Sequence, residues 1–148
     1  MASSIFSVVN LIALAGWVLL GVFPQRRWAE LVASRLVPAL LSGGYVAIIA
    51  AVWGRIPGGF SSLEAVGQLF DNQWMLLAGW LHYLAFDLFV GSWIVRDARE
   101  HGIAHGLVLP LLFLTFMFGP AGWLAYLGLR AALSMRQRSS GAATALPR

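Results

Sequence analysis

His82 and Asp87 stand five residues apart in the apolar run LHYLAFDLFVG (81–91). An imidazole and a carboxyl in a water-poor setting are what proton-transfer chemistry uses. Near the centre of a bilayer an ionised carboxylate costs about 2.5–3.5 kcal/mol on insertion scales, so Asp87 there must be neutral, paired or wetted. Five helical residues span about 7.5 Å along the axis, so the two groups address two atoms of one substrate rather than share one hydrogen. On a wheel turning about 100° per residue, Leu77, Leu81, Leu84 and Leu88 form a stripe suited to lipid. Gly79, Tyr83, Phe86 and Val90 lie opposite, flanked by His82 and Asp87. The ionisable pair is therefore expected to face the bundle interior, with Arg35 as partner to Asp87 and Asn10 as partner to His82.

A second constellation follows in DAREHGIAH, where Asp97, His101 and His105 recur every four residues. On a continuous helix that spacing presents ligands to a metal, whereas Gly102 and the need to turn into the next segment favour a solvated interfacial loop. No metal is favoured, and a metal-dependent membrane enzyme using these three residues is kept as an alternative. Trp17, Trp28, Trp74, Trp93 and Trp123 read as interface anchors. Trp80 and Tyr83, deeper in their segment, are suited to lining a cavity for a long apolar ligand.

The elements that must hold these groups are membrane helices. Of 148 residues, 59% are hydrophobic and 11% charged, which is far from the composition of a soluble globular domain. Cysteine is absent, which excludes a disulfide framework and thiolate chemistry. Lysine is absent too, which excludes a Schiff base; every basic side chain is arginine. The high pI reflects helix flanks and gives no reason to expect a nucleic-acid partner. The start has no basic n-region, so it reads as a retained span rather than a signal peptide. Arginine in place of lysine suggests a bacterial source, hence the inner (plasma) membrane.

Four apolar segments, near 4–23, 31–53, 73–95 and 106–130, are each long enough to cross a bilayer. The expected fold is all-α, a four-helix transmembrane bundle over 1–135 followed by a disordered tail at 136–148. Within the fourth segment Gly119-Pro120 is expected to kink the helix. In the connection 54–72, Ser61 and Glu64 have the spacing of a capping box, and Leu63, Val66, Leu69 and Phe70 follow at helical spacing. A short amphipathic helix on the membrane surface is expected there, between helices 2 and 3. Four crossings place Arg26, Arg27, Arg96 and Arg99, with Arg35 nearby, against Arg55, Arg130, Arg136 and Arg138. The positive-inside rule then leaves the orientation open. Gly43-Gly44 in the second span would allow a second copy to approach closely, so a homo-oligomer is an expectation.

The runs LHYLAFDLFVGSWIVRDA, GIAH and LPLLFLTFMFGPAGWLAY, with Arg130, Asn10, Pro24 before its basic turn and GGFSSL, resemble the abscisic-acid-deficient-four-like family. Plant members of that family are neoxanthin synthases. The resemblance implies a small integral membrane protein acting on carotenoids or related isoprenoid polyenes by a redox-neutral, neoxanthin-synthase-like isomerisation that needs no cofactor. In the plant reaction an epoxide opens while a neighbouring vinylic proton leaves, giving an allene and a tertiary hydroxyl. Such a step needs an acid at the epoxide oxygen and a base at the departing proton. Asp87 is the expected acid and His82 the expected base, with the roles exchangeable. Asn10, Tyr83 and Arg35 would orient the polar end group, and Trp80 and Phe86 would contact the polyene. The alternative is a non-catalytic module that binds a carotenoid or helps assemble a pigment complex, its polar residues acting as glue. The expected partners are membrane lipid and an apolar polyene.

Overall fold

The computed structural model describes the backbone of residues 1–144 and the side chains through Arg136. The tail expected at 136–148 lies almost wholly outside the fully described residues. All described elements are helical: α1 (Ala2–Val22), α2 (Arg27–Leu31), a π turn (Val32–Leu36), α3 (Val37–Val52), α4 (Leu63–Asp71), α5 (Gln73–Glu100), α6 (His105–Phe118) and α7 (Pro120–Thr144). Three rods are long and apolar enough to cross a membrane: Ala2–Val22, Arg27–Val52 and Gln73–Glu100. These make the chain an integral membrane protein.

The second rod is continuous through its π turn, and the cause is Pro38. A proline cannot donate to the carbonyl four residues back and its ring crowds that carbonyl. The chain widens just before it, with the Val37 N–H bonded to the Val32 carbonyl five residues back. Arg35 sits on that widened turn and is exposed.

The chain divides into two compact units, Met1–Ser92 and Trp93–Arg148, with α5 running through the boundary. In the first unit, glycines receive large side chains. An added Cβ at Gly16 would lie 2.6 Å from Leu88 Cδ2, one at Gly91 would lie 2.5 Å from the Trp17 ring, and one at Gly44 would rest on Leu81. With lipid as apolar as leucine, such close packing is what joins the helices. Trp17 is therefore a buried packing residue, not an interface anchor. Gly44 is used within the chain and the space beside Gly43 is open.

The 54–72 connection contains the expected amphipathic helix, α4, but its cap lies one residue later than the capping-box spacing suggests. The Ala65 N–H donates to Ser62 Oγ at 3.1 Å, so Glu64 sits in the first turn without the reciprocal role. Leu69 is buried, while Leu63 and Phe70 are exposed. One apolar flank is thus left outward.

In the second unit the fourth apolar segment is two helices. Gly119 has φ 45° and ψ −100°, a left-handed conformation that suits glycine, and Pro120 then opens α7. Instead of kinking, the chain turns back. Gly122 comes against the Thr115 backbone so closely that a Cβ there would overlap it. At the other end, Ala104 and Leu107 share one cavity wall with Leu127 and Ala131. α6 and α7 form a tight helical hairpin.

Candidate functional site

Along α5 in the first unit, the leucine stripe expected to meet lipid is buried, and His82 and Phe86, expected inward, are exposed, while Asp87 is buried. Leu81 and Leu88 are 1% and 0% exposed, whereas Phe86 is 56% exposed. The leucines fill the glycine notches of the neighbouring helices, and the aromatic side chains point outward. The wheel assigned leucine to lipid because hydrophobicity was its criterion. In a membrane protein that criterion does not separate lipid from core; small-residue notches do.

His82 and Asp87 are consequently not brought together. His82 is exposed, its ring 4.6 Å from that of Phe86 and 5.8 Å from that of Tyr45. Asp87 is 8% exposed and shares a side-chain hydrogen bond with Tyr83, one turn earlier, the hydroxyl donating. Its Oδ2 has no hydrogen-bond partner and is shut away from the surface. Among the described residues no hydrogen bond or ion pair joins Arg35 to Asp87; the outward π turn carries Arg35 elsewhere. A buried oxygen without a partner is costly to keep unless it has work to do or carries the proton itself.

Asn10 serves Trp80, not His82. Trp80 Nε1 donates to Asn10 Oδ1 at 3.2 Å, while Asn10 Nδ2 donates to the Phe6 carbonyl at 2.6 Å. The Trp80 ring lies 5.6 Å from Phe6 and 5.3 Å from Tyr83, stacked on the latter. An apolar cleft of about 320 Å³, lined by Ala2, Ser3, Phe6, Gln73, Leu76, Leu77 and Trp80, opens beside this row.

The second unit holds a polar cluster of another kind. Tyr126, wholly buried, donates its hydroxyl to Asp97 Oδ2. Arg130 Nε meets the same oxygen at 3.3 Å, and its Nη2 lies 2.8 Å from His101 Nε2. His101 Nδ1 stands 2.8 Å from the Asp97 carbonyl, and the Trp93 ring meets Tyr126 edge-on at 5.8 Å. Trp93 is thus a packing residue here. The spacing of Asp97, His101 and His105 offered these three as an alternative ligand set; the structure puts Asp97 and His101 with Tyr126 and Arg130. Among the described residues, no three His, Cys, Asp or Glu side chains form a metal-binding group. The Arg130 guanidinium occupies the flank of Asp97 where a cation would sit, and His105 opens α6 instead.

Tyr126 and Arg130 escaped the sequence reading as partners of Asp97 and His101. Each pair is spaced i, i+4, so each offers both members on one helix face. The match shows only once α7 is known to turn back.

No curated protein and no solved structure matches the chain. A family model described as ABA DEFICIENT 4-like matches residues 4–126, from the start of α1 to the Tyr126 that closes on Asp97. By a match over most of its length, the chain is a member of the ABA DEFICIENT 4-like family of proteins.

Proposed function

We propose that this protein is a membrane enzyme that isomerises a carotenoid or related polyene without net oxidation or reduction, using Asp87 as its proton-transfer group. The observation that carries this reading is the buried, unpartnered Oδ2 of Asp87; family membership supplies the substrate class. With Tyr83 bonded to the other carboxyl oxygen, Oδ2 is the atom free to hold and deliver a proton. In the epoxide-opening version, Oδ2 gives its proton to the epoxide oxygen as the C–O bond breaks. The resulting carboxylate, steadied by Tyr83, takes the vinylic proton as the allene forms. Proton and electron counts close on one residue, with no cofactor consumed. His82, on the other face, contacts substrate beside Phe86 rather than acting as the base. Trp80, bonded to Asn10 and stacked on Tyr83, contacts the polyene chain. Arg35, exposed on its π turn, is not the partner of Asp87 in this reading.

The test is pigment chromatography after expression in a host that makes epoxy-carotenoids. A product equal in mass to its precursor supports the reading, and an unchanged profile opposes it. A module that holds pigment without converting it is the second reading, favoured by the Phe6–Trp80–Tyr83 row; it predicts bound pigment and no product.

The membrane topology that serves this reading has three crossings and a re-entrant hairpin. At about 1.5 Å per residue, the 14 residues of α6 fall short of a hydrocarbon core about 30 Å thick. α7 returns Arg130 to His101, at the end of α5. Arg130 and Arg136 then belong with Arg96 and Arg99, and crossing count adds Arg26 and Arg27, leaving Arg55 on the opposite face. The positive-inside rule thereby makes the end of α5 cytoplasmic, in the bacterial plasma membrane that the composition suggests.

Because the chain has no cysteine, single substitutions report sidedness cleanly. Glu100→Cys and Ser134→Cys are expected to react with an impermeant maleimide from the same side, opposite to Ser61→Cys. Labelling of positions 134 and 61 from one side would restore the four-crossing arrangement.

A further inference from the structure

The hairpin and the chain just after α5 line an open cavity of about 770 Å³ whose walls include Arg130, Arg136, Leu107 and Leu127. Two features mark it as a built site. Arg130 is fixed, its Nε on Asp97 and its Nη2 on His101, which leaves Nη1 and the second Nη2 proton free to donate. His101 has both ring nitrogens engaged, Nδ1 with the Asp97 carbonyl and Nε2 with Arg130, so it positions the guanidinium rather than binding a ligand. Arg136 is exposed at the rim. A forked cation held at a set angle matches a phosphate better than a mobile ammonium does.

Charge and depth agree. This end of the second unit carries Arg96, Arg130 and Arg136 against Asp97 and Glu100, a balance that attracts an anion at a membrane surface. The leucines that line the same cavity, Leu107 and Leu127, favour a phosphate carried on an acyl chain over a free one. We propose that this cavity binds the phosphate headgroup of an anionic lipid, the phosphate against Arg130 and Arg136 and the chain along Leu107 and Leu127. The site is independent of the chemistry at Asp87.

The test uses the full chain, reconstituted in bilayers of phosphatidylcholine with and without phosphatidylglycerol, then extracted for native mass spectrometry. Phosphatidylglycerol is expected to be retained at least about fivefold over phosphatidylcholine. Arg136→Gln, which leaves the Asp97–Tyr126–Arg130 contacts whole, is expected to cut that preference at least about threefold. Arg130→Lys keeps the charge but not the fork, and is expected to lower it further. Inorganic phosphate is expected not to displace the lipid. Equal retention of both lipids would overturn the proposal, as would a preference untouched by Arg136→Gln. Displacement by inorganic phosphate alone would overturn the lipid assignment in favour of a free-phosphate site.

Discussion

Asp87→Asn is expected to abolish product formation while leaving the protein folded. The asparagine side chain keeps the shape of the carboxyl and can still accept from Tyr83, so the packing around Leu88 in the Gly16 notch is undisturbed. What it loses is the proton that Oδ2 would deliver and recover. Removing a general acid or base typically costs about 10²–10⁴ in rate. A single group serving both steps should fall at the upper end, below detection in a pigment extract. Thermal unfolding in detergent is the control: the midpoint should shift by no more than a few degrees. His82→Ala provides the contrast. Its ring is exposed beside Phe86 and Tyr45, so turnover should fall by less than about tenfold, as expected for a lost substrate contact. Equal loss in the two variants would return His82 to the role of base. A collapse of stability in Asp87→Asn would make the residue polar glue.

The second large effect is on folding. Gly122→Ala is expected to prevent the α6–α7 hairpin from closing, because the added methyl would occupy the space of the Thr115 backbone nitrogen. A side chain in the way can rotate, but a backbone cannot. Thr115 is held further by its Oγ1, which donates to the Leu111 carbonyl at 2.8 Å. Overpacking a well-filled interior usually costs about 1–3 kcal/mol, and a backbone overlap should exceed that range. The expected outcome is a lower yield of monodisperse protein and loss of the Tyr126 and Arg130 contacts to Asp97. The part of the tryptophan emission that Trp93→Phe removes, from a ring that lies against Tyr126, is expected to shift as that contact is lost. Gly128→Ala, where the added Cβ meets nothing within 4 Å, is the matched control and should behave as the native protein.

These two residues also show how far the sequence was legible. The helices themselves could be read from apolar length, since about 20 unbroken apolar residues admit few other structures. Asp87 stood out for the same reason: an acid in such a run is conspicuous whatever it packs against. Its neighbours were not legible. Assigning Leu81 and Leu88 to lipid took the most apolar face of the helix to be the one that meets lipid, although a membrane protein's core is just as apolar. Inside a bilayer the deciding feature was the set of glycines at 16, 44 and 91, and their partners become visible only in three dimensions. Gly119-Pro120 posed a similar problem. A proline after glycine permits either a kink or a reversal, and only contacts such as Gly122 on Thr115 distinguish them. Choosing the kink separated Arg130 from Asp97 and hid the contact between them.

The central claim is that the chain rearranges a polyene with no change in composition. The most direct measurement is to incubate purified, reconstituted protein with an epoxy-carotenoid in heavy water, without added cofactor, and to follow the pigment by chromatography with mass detection. The account predicts a new pigment that is an isomer of its precursor, apart from exchanged deuterium. It also predicts that the pigment is absent when Asp87→Asn replaces the native chain. A product two mass units lighter or heavier in ordinary water would show oxidation or reduction and contradict the account. So would an isomer formed equally well by Asp87→Asn.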